Sequence, residues 1–307
     1  MQTILISGGT GMIGKTLSKQ LLKKGYEVII LTRHLPSNNV ATPGVSYAIW
    51  DITKQIIDNK AIEKADHIIH LAGAGVVDKK WTDDYKKEIQ DSRTESSRLL
   101  VSALKNFSNK VKTVVSASAI GWYGADEPGK KAFVESDTPS KDFLGETCRL
   151  WEESIAPVEA LQIRLVKLRT GIVLGNNGGA LAEFKKPLKL GVAGILGDGK
   201  QIVSWIHIDD LCSMYIIAIE NNNLSGAYNA VGPLPVSNKI LTLDLAKQLN
   251  GKRFIPVHVP VFILKIMMGD RSVEVLKSTT VSCEKIKQTG FSFLYPDIES
   301  ALKELCE

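Results

Sequence analysis

The chain has 307 residues, 44% hydrophobic and 23% charged, with 25 glycines. That balance excludes a disordered, collagen-like or low-complexity protein and leaves ample chain for a core, as one large α/β domain or two small ones. Lysine and arginine outnumber the acids 38 to 33, a net charge of +5 with no long single-sign block, which argues against a dedicated nucleic-acid binder.

Taken in chain order, the opening MQTILISGGTGMIG has no basic leader, and glycines break its apolar run, so it does not read as a signal peptide. Thr3–Ser7 is a short apolar strand that ends at glycines. Met12–Lys24 then carries Ile13, Leu17, Leu21 and Leu22 at helical spacing. Glu27–Thr32 is a second strand, and Asp51 follows an apolar stretch ending at Trp50. Asp66–Ala72, Lys112–Ser116 and Val166–Arg169 are further strands, with helix-length segments between them, notably Thr82–Asn106. Strand, helix and strand repeated in this way predict right-handed crossovers and a Rossmann-type α/β fold with a doubly wound parallel sheet.

After Gly171 the pattern changes. Gly175–Gly199 is glycine-rich and holds a basic apolar segment, Phe184–Leu190. From Phe254 come Pro256, Pro260 and a helical run into Gly269. We expect a dinucleotide-binding domain over residues 1–170, with 202–232 returning to it, and a smaller substrate lobe over 171–201 and 233–307. The apolar stretch Val257–Met268 is too short to span a bilayer. Cys148, Cys212, Cys283 and Cys306 sit far apart, without metal or disulfide spacing. The expectation is a soluble, cytoplasmic protein with no membrane or nucleic-acid partner.

The strongest chemical signal is Gly8-Gly9-Thr10-Gly11-Met12-Ile13-Gly14, between a strand and a helix. Gly8 suits a tight turn, Gly11 lets backbone approach a pyrophosphate, and Gly14 permits close helix–strand packing. The helix N-terminus offers free N–H groups to phosphates. At the end of the second strand, Leu31-Thr32-Arg33-His34 has no carboxylate to hold ribose hydroxyls. A guanidinium there suits a ribose 2′-phosphate, so the expected cofactor is NADP(H), with Thr32 and Arg33 at that phosphate.

With these motifs the chain resembles the extended short-chain dehydrogenase/reductases, the NAD-dependent epimerase/dehydratase group. Gly8–Gly14 is similar to that group's TGxxGxxG. Leu71-Ala72-Gly73 is similar to its strand-end motif beside the cofactor, and Ser116-Ala117-Ser118 with Tyr123-Gly124 to its SSS…YG segment. Val203–Asp210 resembles its FVHVDD stretch and Tyr228–Gly232 its YNVG strand. LAGAGVVDKKWTDDYKKEIQDSR, FLGETCRLWE, SWIHIDDL and GFSFLYPDIESAL are closer to a little-characterised branch, the epimerase family, whose C-terminal domain of unknown function would be Phe254–Leu302. The branch resemblance implies that Glu88 and Arg93 approach the adenosine or ribose side of the cofactor; read from the residues alone, they are equally a solvated helix face.

The group's chemistry rests on a serine and on a tyrosine and lysine four apart on a helix. The matching stretch here is Leu144-Gly145-Glu146-Thr147-Cys148, with Leu144 at the tyrosine position and Cys148 at the lysine position. Neither can pass a proton in that way. The remaining catalytic candidates are Ser118, to polarise a carbonyl, and Tyr123, the nearest proton donor in sequence, which reads otherwise as a packed loop aromatic. Cys148 is either a thiol beside the nicotinamide or an inert buried cysteine. For His207, Asp209 and Asp210 we expect a strand end followed by an aspartate helix cap, and no metal. These readings imply an NADP(H)-dependent oxidoreductase or nucleotide-sugar-epimerase-like enzyme acting on a small molecule, such as a carbonyl compound or nucleotide sugar. The alternative is an NADPH-binding redox sensor without turnover.

Overall fold

The computed structural model describes residues 1–36, 42–176 and 178–307. In chain order the first half runs β1 (Thr3–Ser7), α1 (Met12–Lys23), β2 (Glu27–Thr32), β3 (Val45–Asp51), β4 (Ile56–Ile57), α2 (Asn59–Lys64), β5 (His67–His70), α3 (Asp83–Asn106), β6 (Thr113–Ala119), α4 (Phe143–Ile155) and β7 (Arg164–Thr170). The second half adds β8 (Ile172–Leu174), α5 (Gly179–Leu188), β9 (Val192–Leu196), β10 (Ile202–Val203), β11 (Trp205–His207), α6 (Ile208–Glu220), β12 (Gly226–Ala230), β13 (Val236–Ser237), α7 (Asn238–Asn250), β14 (Ile255–Val259) and α8 (Val261–Met268). Short helical turns follow, and the last helix is Ile298–Glu304.

One eight-stranded sheet carries the fold, in the order β12-β7-β6-β5-β1-β2-β3-β4. It is parallel except for β4, which is antiparallel to β3. All five residues of β1 are buried because both faces of the sheet are covered. Ile4 and Ile6 face a core formed with Leu17 and Leu21 of α1 and Met214 and Tyr215 of α6. Leu5 faces the opposite layer, with Leu99 and Leu100 of α3 and Ile155 of α4. The doubly wound sheet is therefore the one expected.

The winding reverses between β1 and β5, with β2 and β3 on one side and β6 and β7 on the other. Such a reversal opens a crevice at the carboxyl ends of the strands. Some boundaries differ from the sequence reading. β5 stops at His70, leaving Leu71–Ala72 in a loop, while β6 runs on to Ala119 and so includes Ser118. β3 escaped that reading because only Ala48 and Trp50 of its seven residues are buried.

A third apolar cluster lies in the second half, with Leu181 and Leu188 of α5, Trp205 of β11, Leu241 and Leu245 of α7, and Leu302 near the chain end. Three two-stranded sheets, β8–β11, β10–β13 and β9–β14, frame it. The C-terminal segment returns to the first half. Thr279 Oγ1 donates to the Gly124 carbonyl at 2.7 Å, and Thr280 donates twice to the Asp126 carboxylate at 2.6 Å.

Candidate functional site

The glycine-rich turn sits at the reversal point. Gly8 has φ +71°, a left-handed conformation that glycine adopts without strain. Its carbonyl accepts the Gly11 N–H at 3.1 Å. A Cβ at Gly8 would lie 2.9 Å from the Leu71 carbonyl carbon, and one at Gly14 would lie 2.5 Å from the Gly8 oxygen. The turn is thus pressed against both the 71–73 loop and the first turn of α1. Gly11, by contrast, is exposed, and a Cβ there would meet only the Gly8 oxygen, at 3.4 Å. Lys15 N–H already bonds the Gly11 carbonyl, and no side chain caps α1. The N–H groups of Met12, Ile13 and Gly14 therefore have no partner within the helix. No acidic residue occupies this first turn. Exposed Thr10 completes the rim of this cradle of amides, and the bare Gly14 lets the turn pack directly on the helix.

Beneath the cradle lies a histidine that the sequence reading did not single out. His70 Nδ1 meets Ser7 Oγ at 2.6 Å, while its Nε2 lies 3.2 Å from Ser97 Oγ and 3.3 Å from Ser96 Oγ. Burial lowers its pKa to about 3, so the ring is neutral. Ser7 also accepts the Leu71 N–H, at 3.1 Å through its carbonyl and 3.2 Å through Oγ. This lattice holds Leu71-Ala72-Gly73 beside the turn. A histidine ending a fully buried strand was the available signal, since buried polar rings need partners.

The other expected cofactor residues fall in different surroundings. Thr32 ends β2, and its hydroxyl donates to the His34 carbonyl at 2.9 Å. Arg33 beside it is exposed and has no ion-pair partner among the described residues. Arg93 is turned behind the 73–74 loop. Its Nη1 donates to the carbonyls of Ala74 at 3.0 Å and Ile89 at 2.8 Å, and its guanidinium lies 5.0 Å from the Trp151 ring centre. A Cβ on Gly73 would come within 3.1 Å of Arg93 Cζ. Glu88 lies on the solvent face of α3 and pairs with Lys79 at 2.9 Å. The geometry thus makes Arg93 a loop support and Glu88 a surface ion pair.

Ser118 and Tyr123 belong to one buried polar network. Ser118 Oγ donates to Glu152 Oε1 at 2.7 Å. Arg169 grips the same carboxylate through Nε at 2.8 Å and Nη2 at 3.1 Å, a charge-assisted pair that allows both charges to be buried. Arg169 Nη1 donates to the Tyr123 oxygen at 3.0 Å, and the phenol donates onward to Asn229 Oδ1 at 2.6 Å. Asn229 Nδ2 donates to the Ser282 carbonyl at 3.0 Å. Burial pushes the Tyr123 phenol up to about 12, against the pull of Arg169, and its ring stacks on Phe133 at 5.1 Å.

Both catalytic candidates are thus engaged within the protein, Ser118 donating a hydrogen bond to Glu152 and Tyr123 one to Asn229. Sequence reasoning missed Arg169. Its signal was a cation in a strand buried on both faces, which requires a counter-charge. At the start of α4, a Cβ on Gly121 would lie 3.1 Å from Leu144 Cβ and 3.6 Å from Cys148 Sγ. Cys148 is buried, and that burial pushes its thiol up to about 12.

The expected aspartate cap is also corrected. His207 itself caps α6, its Nδ1 accepting the Asp209 N–H at 3.1 Å. An accepting Nδ1 places the ring proton on Nε2, which lies 2.9 Å from Glu304 Oε2. His207, Asp209 and Glu304 form the one grouping of potential metal ligands among the described residues. Both ring nitrogens are already used in hydrogen bonds, so this histidine works as a clasp. Asp210 instead accepts the N–H groups of Leu294 at 2.7 Å and Tyr295 at 3.1 Å.

Comparison with known proteins places this geometry in context. Residues 4–231 match the NAD dependent epimerase/dehydratase family, and residues 259–305 match a domain of unknown function (DUF1731). The chain is 34% identical over 305 residues to epimerase family protein SAR0825 of Staphylococcus aureus (strain MRSA252), covering 99% of each. It is 33% identical over 303 residues to epimerase family protein YfhF of Bacillus subtilis (strain 168), covering 98% of this chain and 97% of that one. The crystal structure of human epimerase family protein SDR39U1 (isoform 2) with NADPH superposes with a TM-score of 0.85 at 26% identity, covering 99% of both chains.

Proposed function

The chain belongs to the NAD dependent epimerase/dehydratase family, and from that premise we propose that it is an NADP(H)-dependent oxidoreductase or epimerase-like enzyme working without the Tyr–Lys pair. The observation that carries this reading is the cradle at the start of α1: three unpartnered amides, no acidic residue, and a Gly14 position that admits no side chain. Gly8, Thr10, Gly11, Met12, Ile13 and Gly14 would hold the pyrophosphate, with Leu71, Ala72 and Gly73 alongside. Exposed Arg33 without an ion pair, next to Thr32, supports a phosphorylated ribose. NADPH in the human relative's structure supports the same choice. A bound nicotinamide supplies a hydride donor or acceptor.

The chain's own residues then define an unusual site. Leu144 and Cys148 offer no proton at neutral pH, one for want of an acidic group and the other because burial keeps its thiol closed. The Ser118–Glu152–Arg169–Tyr123 network holds the ends of β6 and β7 in place. We assign residues 1–170 and 202–232 to cofactor binding. The lobe of residues 171–201 and 233–307 is assigned to a small substrate, a carbonyl compound or nucleotide sugar. Arg33→Ala should weaken NADPH binding by roughly tenfold or more in calorimetry, since a charge-assisted phosphate contact contributes about 1.5–3 kcal/mol, and leave NADH nearly unchanged. Equal losses for both would remove the 2′-phosphate assignment.

The sealed thiol of Cys148 and the committed phenol of Tyr123 favour a second reading, an NADPH-binding redox sensor without turnover. NADPH oxidation across a panel of small carbonyls and nucleotide sugars separates the two. Steady turnover supports the enzyme; tight NADPH binding with no turnover supports the sensor.

A further inference from the structure

We propose that the surface formed by β14 and α8 docks on an anionic lipid bilayer, as a peripheral contact and without a spanning helix. No helix among the described residues is long and apolar enough to cross a membrane. The proposal departs from the expectation of no membrane partner and does not depend on the cofactor assignment.

The first observation is a run of uncovered apolar side chains. Leu190, Ile255, Val257, Phe262, Ile266 and Met267 are between 43% and 85% exposed. One hydrogen bond and the continuity of the chain set them near one another. The Ile255 N–H bonds the Gly191 carbonyl, which brings Leu190 next to the start of β14. Ile255 and Val257 alternate onto one face of the strand. Pro260 alone separates β14 from α8, and only Leu264 of that eight-residue helix is buried.

The second observation is charge. Residues 250–268 and 184–197 contain no aspartate or glutamate. Lys189, Lys252, Arg253 and Lys265 are all exposed there, without ion pairs among the described residues. Apolar side chains interleaved with cations match the boundary between acyl chains and anionic headgroups. A second copy of this chain fits less well, because apposing the same face would bring the two sets of cations together. Pairing by strand addition is blocked as well. Ile255 and Val259 bond toward β9, so Pro256 and His258 face the open edge of β14, and proline has no N–H to give. What remains is a surface of side chains with little backbone to read, which suits a fluid partner better than a peptide.

Flotation of the full-length protein with lipid vesicles tests this. It should float with phosphatidylcholine vesicles containing about one-third phosphatidylglycerol, stay behind with phosphatidylcholine alone, and release progressively as salt rises. The double variant Phe262→Asp/Ile266→Asp should lower the bound fraction roughly tenfold while its unfolding midpoint stays that of the parent. Three results would overturn the proposal: no flotation with anionic vesicles, equal flotation by the variant, or a dimer of the parent in solution that the same substitutions dissolve.

Discussion

At the scale of single residues, the site is organised by side chains that never need to touch a ligand. His70 is the sharpest case. Folded, it stays neutral to about pH 3; unfolded, the same ring protonates near 6.5, the ordinary value for a solvated imidazole. A base whose pKa is depressed by folding stabilises the native state above its unfolded pKa, and that stability drains away as pH falls. His70 should therefore add a slope of about 1.4 kcal/mol per pH unit to the loss of stability as pH falls below about 6.5. Buried His67, lowered to about 4, acts in the same direction. Urea midpoints measured from pH 7.5 to 5 should fall more gently in His70→Asn than in the parent. Parallel curves would show that His70 is not the titrating group.

At the scale of elements, the strand–turn–helix unit of β1 and α1 was legible because its signals are local. An apolar run, glycines at fixed offsets and a helical period occupy the first two dozen residues. The same locality explains what stayed hidden. Tyr123 finds Asn229 across 106 residues, and His207 finds Glu304 across 97, distances at which sequence spacing says nothing about contact. The motif puts Ser118 at the end of β6, but not the partner of its hydroxyl, Glu152, which lies on another element. The β1–α1 unit also yields the cleanest steric prediction. Gly14→Ala sets a methyl group 2.5 Å from the Gly8 oxygen, and neither backbone can yield without distorting the turn. The cost should be about 1–3 kcal/mol in denaturant unfolding, with nucleotide binding lost. A variant that keeps full stability and affinity would show that the turn tolerates a side chain.

At the scale of the whole molecule, two apolar cores lie on either face of the large sheet, and a third lies in the second half of the chain. Polar clasps join them. Beyond His207–Glu304, Lys86 pairs with Asp270 at 3.2 Å and Lys277 with Asp142 at 3.6 Å. Glu304 is partly exposed, so its bond to the buried His207 ring should be worth only about 1 kcal/mol. Glu304→Ala should lower stability by that amount, while Glu304→Gln, whose carbonyl oxygen still accepts the His207 hydrogen bond, should recover most of it. If both lose equally, the clasp acts through charge and not through the hydrogen bond.

The return of the C-terminal segment bears on how the protein is made. Ser282 supplies the last acceptor of the Asn229 carboxamide, and Thr279 and Thr280 fasten the loop that follows β6. A nascent chain therefore has all eight strands of the large sheet made before the residues that seal this flank are added. A translation product stalled between residues 231 and 278 would hold every strand of that sheet and leave this seam open.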